Sequence, residues 1–180
     1  VSLAVCLLHS YLNPAHEQAI ADVIRRELPY MALSLSSDVS PELGEYERSS
    51  TTTANAYVHP IFRNYVDRLG GALADLGYER DLLLVLSDGR CVQADVATHY
   101  PIRLVQSGPA AGAEAARLFC ELANVDDVLC FDMGGTTAKA CLIPEGIPER
   151  TVHFEVARET RFAEGSGLPL QIPAIDMIEI

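Results

Sequence analysis

The sequence predicts an α/β fold with a mixed sheet, and three observations predict it. Short apolar runs alternate with helix-length amphipathic stretches, beginning with 3–8, 14–28 and Ala32–Leu35. Two further apolar runs, 128–131 and Ala138–Ile143, flank a glycine turn and add an antiparallel hairpin. The composition is that of a packed chain, with 49% hydrophobic and 21% charged residues among 180. That length buries the core of one domain or slightly more.

Each element has a local reason. Residues 3–8 read as a buried strand. Asn13 then caps a helix with Pro14 at its first position, and Ile20, Val23, Ile24 and Leu28 form its predicted apolar face. Pro29 ends it, and Ala32–Leu35 completes a βαβ-like step. Residues 36–48 are polar, contain Pro41 and Gly44, and read as a surface connection. A long helix is predicted from the Ser/Thr run 49–53, with Ala54, Tyr57, Val58, Ile61, Tyr65, Leu69, Leu73 and Leu76 as its stripe. Gly77 suits its C-terminal cap, and Pro60 predicts a kink or brief break.

Strands follow at 82–86 and 102–105, with an Asp88-Gly89 turn between them. Ser107-Gly108-Pro109 opens an alanine-rich helix reaching about Asn124. The hairpin runs follow, then a turn at 144–148, a strand at 152–156, a loop at 165–167 and a closing strand at 175–180. No repeat of fixed period is present. The chain starts without Met and opens and closes on core-like strands, so it is expected to be an internal piece of a longer polypeptide.

The net charge of -12, with 13 basic residues scattered, excludes a nucleic-acid partner and disfavours an anionic membrane surface. Residues 1–8 are too short to span a bilayer and lack the features of a secretory leader. Five cysteines without a CxxC read as reduced thiols of a cytoplasmic protein, not as a zinc site. His9, His16, His59, His99 and His153 show no HExxH and read as surface or packing residues. The Ser/Thr run has no GxSxG elbow, and helix capping accounts for it better than nucleophilic chemistry. Glu45, Glu47 and Arg48 read more readily as a solvated face than as the lining of a cleft.

The informative segment is Val128-Leu129-Cys130-Phe131-Asp132-Met133-Gly134-Gly135-Thr136-Thr137-Ala138-Lys139. A strand delivers the Asp132 carboxylate, and Gly134 and Gly135 let the backbone turn tightly. Backbone N–H groups of such a turn cradle phosphate oxygens, and Thr136 and Thr137 add hydroxyl donors. Asp132 is placed to hold Mg²⁺ through water. The competing reading is an ordinary Gly-Gly hairpin. No Walker A loop and no GxGxxG are present. Lys139 either approaches a phosphate or lies solvated on a strand edge. Asp176, expected to end a buried strand, is a second candidate catalytic carboxylate.

The Asp132–Thr137 unit resembles the second phosphate-binding hairpin of the actin/Hsp70/sugar-kinase superfamily, whose fold is ribonuclease H-like. Ser107-Gly108-Pro109-Ala110-Ala111-Gly112 resembles the start of its connecting helix, its alanines read as packing residues. Further stretches are similar to the hydantoinase A / 5-oxoprolinase family: Leu12-Asn13-Pro14 with Glu17, Ser34-Leu35-Ser36-Ser37, Glu45-Tyr46-Glu47-Arg48, Gly165-Ser166-Gly167-Leu168-Pro169 and Pro173-Ala174-Ile175-Asp176. Residues 1–48 then correspond to the end of that family's N-terminal domain and 49–180 to the start of its main domain.

The resemblance implies ATP and Mg²⁺ as cofactors and phosphorylation of an amide or ketone oxygen. It implies a cyclic-amide or ketone substrate and a hydantoinase B-type partner subunit or domain. Asp132 and Asp176 would be catalytic, Asp132 the metal carboxylate, and Gly134, Gly135, Thr136, Thr137 and Lys139 the cofactor-binding residues. The family's histidine after the Asp176 position is absent here, and Lys139 replaces a usual acidic residue. The alternative is a non-catalytic nucleotide-binding switch or chaperone-like module of the same superfamily.

Overall fold

The computed structural model describes residues 1–160, 163 and 165–179. The chain divides into two units: Val1–Leu82 with Gln93–Ile102 and His153–Ile172, and Leu83–Val92 with Arg103–Val152 and Pro173–Ile180.

In the first unit, β1 (Ser2–Val5), α1 (Ala15–Glu27) and β2 (Ala32–Leu35) form the expected βαβ step. The strands are parallel, with Ser2 opposite Ala32 and Val5 opposite Leu35. Val5, Ala21 and Leu35 make a core against Leu3, Leu7, Ile20 and Leu33. β1 stops short of residue 8 because Leu7 turns its backbone to side chains: its N–H donates to Glu17 Oε1 at 2.8 Å. Asn13 Oδ1 accepts from the Ala15 N–H at 3.1 Å, and α1 begins at Ala15, one residue later than predicted, with Pro14 at the N-cap position. The buried face of α1 is Glu17 and Ala21, while Val23 and Leu28 are exposed.

The segment 36–48 is not the solvated connection its polarity suggests. It contains α2 (Ser36–Val39) and the first turn of α3 (Glu45–Asp75). Ser36, Ser40 and Arg48 are buried. α3 runs on through Pro60 as one element. It closes in a Schellman cap, the Gly77 N–H donating to Ala74 O at 2.9 Å and the Tyr78 N–H to Leu73 O at 3.0 Å. Gly77 has φ +83°, which explains the glycine.

The buried stripe of α3 matches the expected one only in part: Ala54, Val58, Leu69 and Leu73 are half-buried, and Ala54 packs on the core around Ile102. Arg48, Thr51, Thr52, Asn55, Ala56 and His59 face inward, whereas Tyr57, Ile61, Tyr65 and Leu76 are exposed. Two of the inward polar residues tie α3 to neighbouring segments, while His59 Nδ1 is buried without a hydrogen-bond partner. Asn55 donates from Nδ2 to Ser34 Oγ at 3.0 Å and accepts at Oδ1 from the Ile102 N–H at 3.2 Å. Thr51 Oγ1 accepts from the Gln171 N–H at 2.9 Å. A second core forms from Val39, Ile102, Leu170 and Ile172. Ile102 reaches it from a 3₁₀ turn, Pro101–Leu104, where a strand was predicted. α4 (Ala94–His99) also belongs to this unit.

Arg48 and Glu17 are both fully buried, 4.0 Å apart at Nη2 and Oε1, and two serine hydroxyls bridge them. Ser10 and Ser36 each donate to Glu17 Oε1, at 2.8 and 2.6 Å, and each accepts from Arg48 Nη2. Arg48 Nη2 also donates to Leu7 O at 3.2 Å, and Nη1 pairs with Glu45 Oε2 at 2.8 Å. The guanidinium lies 5.4 Å from the Tyr11 ring. Glu45 Oε1 accepts from the N–H of His9, whose backbone is left-handed at φ +58°.

In the second unit, β3 (Leu83–Val85) and β4 (Cys91–Gln93) form a short hairpin over Gly89, φ +85°. α5 (Ser107–Ala123) ends at Asn124, whose left-handed φ of +51° caps it. β5 (Val128–Met133), β6 (Ala138–Ile143) and β9 (Ile178–Glu179) make a three-stranded antiparallel sheet with β6 in the middle. Ala110 and Ala113 of α5, both at zero exposure, pack on Cys141, Ile143 and Ile175, so the alanines serve close packing. The alternate positions Leu129, Phe131, Met133, Leu142 and Ile178 leave the other sheet face apolar and exposed.

β7 (Arg150–Val156) and β8 (Leu168–Ile175) pair with each other, and the division between units falls within each. The closing strand predicted at 175–180 is split between the end of β8 and β9, and Ile180 lies outside the described residues. All five cysteines are free. Among the described residues no helix is long and apolar enough to cross a membrane.

Three outcomes follow from this packing. Arg48→Met strands the buried Glu17 carboxylate and should cost about 3–5 kcal/mol in denaturant unfolding. Burial works to raise the Glu17 pKa, but hydrogen bonds from Ser36, Ser37, Leu7 and Ser10 outweigh it and hold the pKa below 4.5. Glu17 therefore stabilises the fold fully above the ordinary carboxylate value and loses that contribution as pH falls through its depressed one. The wild-type denaturation midpoint should drop in that acid window, and the Glu17→Gln variant should lack that part of the drop. Thiol titration should modify exposed Cys91 well before Cys141, which burial, then Cys130 and nearby carboxylates, push up to about 11.

Candidate functional site

The site is built on the β5–β6 hairpin of the second unit. In that ladder Asp132 stands opposite Lys139 and Met133 opposite Ala138. The Gly134 N–H donates to Thr137 O at 3.0 Å and closes the turn. Gly134, Gly135 and Thr136 are exposed, and Thr137 is half-buried. The turn thus projects backbone and hydroxyl groups to solvent directly beyond the Asp132 carboxylate.

The two glycines are not there for the reason a Gly-Gly hairpin usually has them. Neither has a positive φ, unlike Gly89 in the β3–β4 turn. A Cβ on Gly135 would meet nothing within 4 Å, and one on Gly134 only Thr137 O at 3.8 Å, an ordinary contact. The turn's own conformation and packing accommodate a side chain at both positions. What the missing Cβ atoms keep open is the solvent side of the backbone.

Asp132 is exposed, on the sheet face that carries Val128 and Cys130. Its charge is felt there: burial first, and then Asp132, raise the pKa of the Cys130 thiol. Lys139 lies in the central strand with its side chain only 18% exposed, so it is not a solvated edge residue. On its other side Glu179 of β9 is its register partner, with Lys139 Nζ 3.4 Å from Glu179 Oε2. Asp132, Lys139 and Glu179 therefore form one row across three strands.

Asp176 is placed elsewhere. It follows β8 as an exposed residue, its N–H donating to Glu149 O at 2.8 Å. Its charge is felt at Cys141, further from the turn than Lys139, where after burial and Cys130 it helps raise the thiol pKa. The structure brings Asp132, Gly134, Gly135, Thr136, Thr137 and Lys139 together and leaves Asp176 away from the turn.

Among the described residues no group of three or more His, Cys, Asp or Glu is arranged to hold a metal ion. A single exposed carboxylate beside an open glycine turn fits the needs of Mg²⁺, which keeps most of its waters and takes few protein ligands. Sequence reasoning missed Glu179, because nothing local marks it as the neighbour of a residue 40 positions earlier. The polar stripe of α3 was legible in principle, since Arg48, Thr52, Asn55 and His59 recur at helical spacing.

Comparison with known proteins places the chain in a wider group. The family model described as "Hydantoinase/oxoprolinase" matches residues 48–180. An uncharacterized protein of Methanocaldococcus jannaschii is 38% identical over 99% of this chain and 27% of its own length. The caprolactamase alpha subunit of Pseudomonas jessenii is 30% identical over 76% of this chain and 20% of its own. The chain thus spans about a quarter or less of these relatives. Among solved structures, the ATP-dependent caprolactamase of Pseudomonas jessenii superposes with TM-score 0.78 at 25% identity, over 99% of this chain and 25% of that one. Nucleotide-free acetone carboxylase shares the fold, with TM-score 0.79 at 23% identity over 99% of this chain and 24% of that one. The mixed α/β architecture expected from the sequence is therefore shared with ATP-dependent enzymes, and the chain belongs to the hydantoinase/oxoprolinase family.

Proposed function

We propose that this chain supplies a phosphate-binding part of an ATP-dependent enzyme that activates an amide or ketone oxygen by phosphorylation. One observation carries the reading: Gly134 and Gly135 meet no internal demand for glycine, yet they stand beside an exposed carboxylate at the open end of a hairpin. Bare backbone at such a point lets phosphate oxygens approach N–H groups closely. Family membership and the ATP-dependence stated for caprolactamase and acetone carboxylase support the choice of nucleotide.

In this reading Thr136 and Thr137 add hydroxyl donors, and Lys139 adds positive charge in the same row. Asp132 orients hydrated Mg²⁺, which when bound neutralises phosphate charge. Asp176 serves the substrate side, away from the turn. Phosphorylating the oxygen turns it into a leaving group for opening a cyclic amide, or traps the enolate of a ketone for carboxylation. A hydantoinase B-type subunit or domain shares the chemistry, in the cytoplasm. Residues 1–48 close one domain of the longer protein and 49–180 open the next.

The test is ADP release by the full-length protein co-expressed with its genomic neighbour, against hydantoin, 5-oxoproline, and acetone or acetophenone with bicarbonate. Asp132→Ala should lower substrate-stimulated release about 100-fold or more. Gly135→Ala should leave the melting temperature unchanged while weakening nucleotide binding, because its Cβ projects into open space. ATP binding without stimulated turnover by any of these compounds would point to a switch-like module instead.

A further inference from the structure

Lys139 has a carboxylate as register partner on each side, Asp132 on β5 and Glu179 on β9. Directly opposed unlike charges on one sheet face ordinarily pair. Only one of the two pairs is made: Lys139 Nζ lies 3.4 Å from Glu179 Oε2, and among the described residues Asp132 has no ion-pair partner. Lys139 is the half-buried member, so its reach is constrained, whereas the Glu179 side chain is 56% exposed. The row thus keeps its cation on the side away from β5 and leaves the Asp132 carboxylate open beside the glycine turn.

We propose that Glu179 is a positioning residue that draws Lys139 off Asp132, keeping that carboxylate available for a phosphate-bound divalent cation. The inference rests on the phosphate-binding reading of the hairpin. Without Glu179, Lys139 turns to its remaining neighbour and forms the cross-strand pair with Asp132. An ammonium at that carboxylate competes with the divalent cation for the same oxygens and lowers the negative potential that attracts it. Glu179 acts on the cation only through Lys139, and this separates its role from a general effect of surface charge. Loss of a nearby negative charge would weaken cation binding whether or not Lys139 were present; a diverted lysine does so only while the lysine exists.

The experiment measures the Mg²⁺ concentration that gives half-maximal binding of a non-hydrolysable ATP analogue. It uses calorimetry on the full-length protein with any partner subunit, and thermal melting confirms that each variant folds. Wild type should bind in a Mg²⁺-dependent manner that Asp132→Ala abolishes. Glu179→Gln should raise the Mg²⁺ requirement about two- to fivefold, the range of a partly exposed ion pair. In a Lys139→Met background, itself the reference for any loss of phosphate contact, Glu179→Gln should change the requirement no further.

If Glu179→Gln leaves the requirement unchanged or lowers it in the otherwise wild-type protein, or still raises it in the Lys139→Met background, the inference is overturned. The nucleotide reading then stands on the Asp132→Ala result. Mg²⁺-independent binding by wild type likewise overturns the role given to Glu179 while sparing the phosphate turn. A wild type that binds no nucleotide with or without Mg²⁺ overturns both readings together.

Discussion

The first unit depends on one buried interaction, the Glu17–Arg48 pair joined through Ser10 and Ser36. Two unlike charges at zero exposure are costly unless their remaining hydrogen-bonding capacity is met. Here serine hydroxyls accept from Arg48 Nη2 and donate to the carboxylate, so each charge is solvated by the other through a fixed hydroxyl, while Arg48 Nε is left without a partner. The arrangement joins four segments far apart in sequence: the turn after β1, helix α1, the start of α2 and the first turn of α3. Moving any of them leaves a charge or a hydroxyl unmatched in the interior. That is a geometric constraint more than a source of net stability, and it holds the left-handed His9 in place through Glu45.

The second unit solves a different problem. Its hairpin has a conventional apolar base, where α5 brings backbone-close alanines onto Cys141 and Ile143. Toward the tip the same sheet face turns from Val128 and Cys130 to Asp132, and from Ile143 and Cys141 to Lys139. Strand alternation carries polar groups outward along one face with no change of backbone geometry. The rigid, helix-backed base positions the charged row, while the turn beyond it remains open. A carboxylate presented in this way is less mobile than one on a free loop.

The β1–α1–β2 step, the Gly77 cap, helix α5 and the hairpin were legible because their signals are local. Proline, glycine, asparagine and apolar alternation act within a few residues of where they stand. The failures also have a common cause. Polarity at 36–48 predicts exposure, and the apolar stripe at Tyr57, Ile61 and Tyr65 predicts core, because hydropathy reports what a residue prefers in isolation. Arg48 and Glu17 are buried only because each meets the other, across 31 residues of sequence. The strand expected at 102–105 became a 3₁₀ turn because Ile102 docks by its N–H on Asn55, a partner 47 positions away.

By itself the sequence determined the fold class, the family and the phosphate-turn candidate, since those rest on short contiguous patterns and on resemblance along the chain. Only the tertiary structure decided that the glycines answer no need of the turn itself, that Lys139 occupies a central strand, and that Glu179 rather than Asp132 is its partner. It also decided which charges are interior. The physical reason is the same throughout: backbone propensity and side-chain polarity are properties of one residue and its neighbours in sequence. Ion pairing, register and burial are properties of residues that only the folded chain brings together.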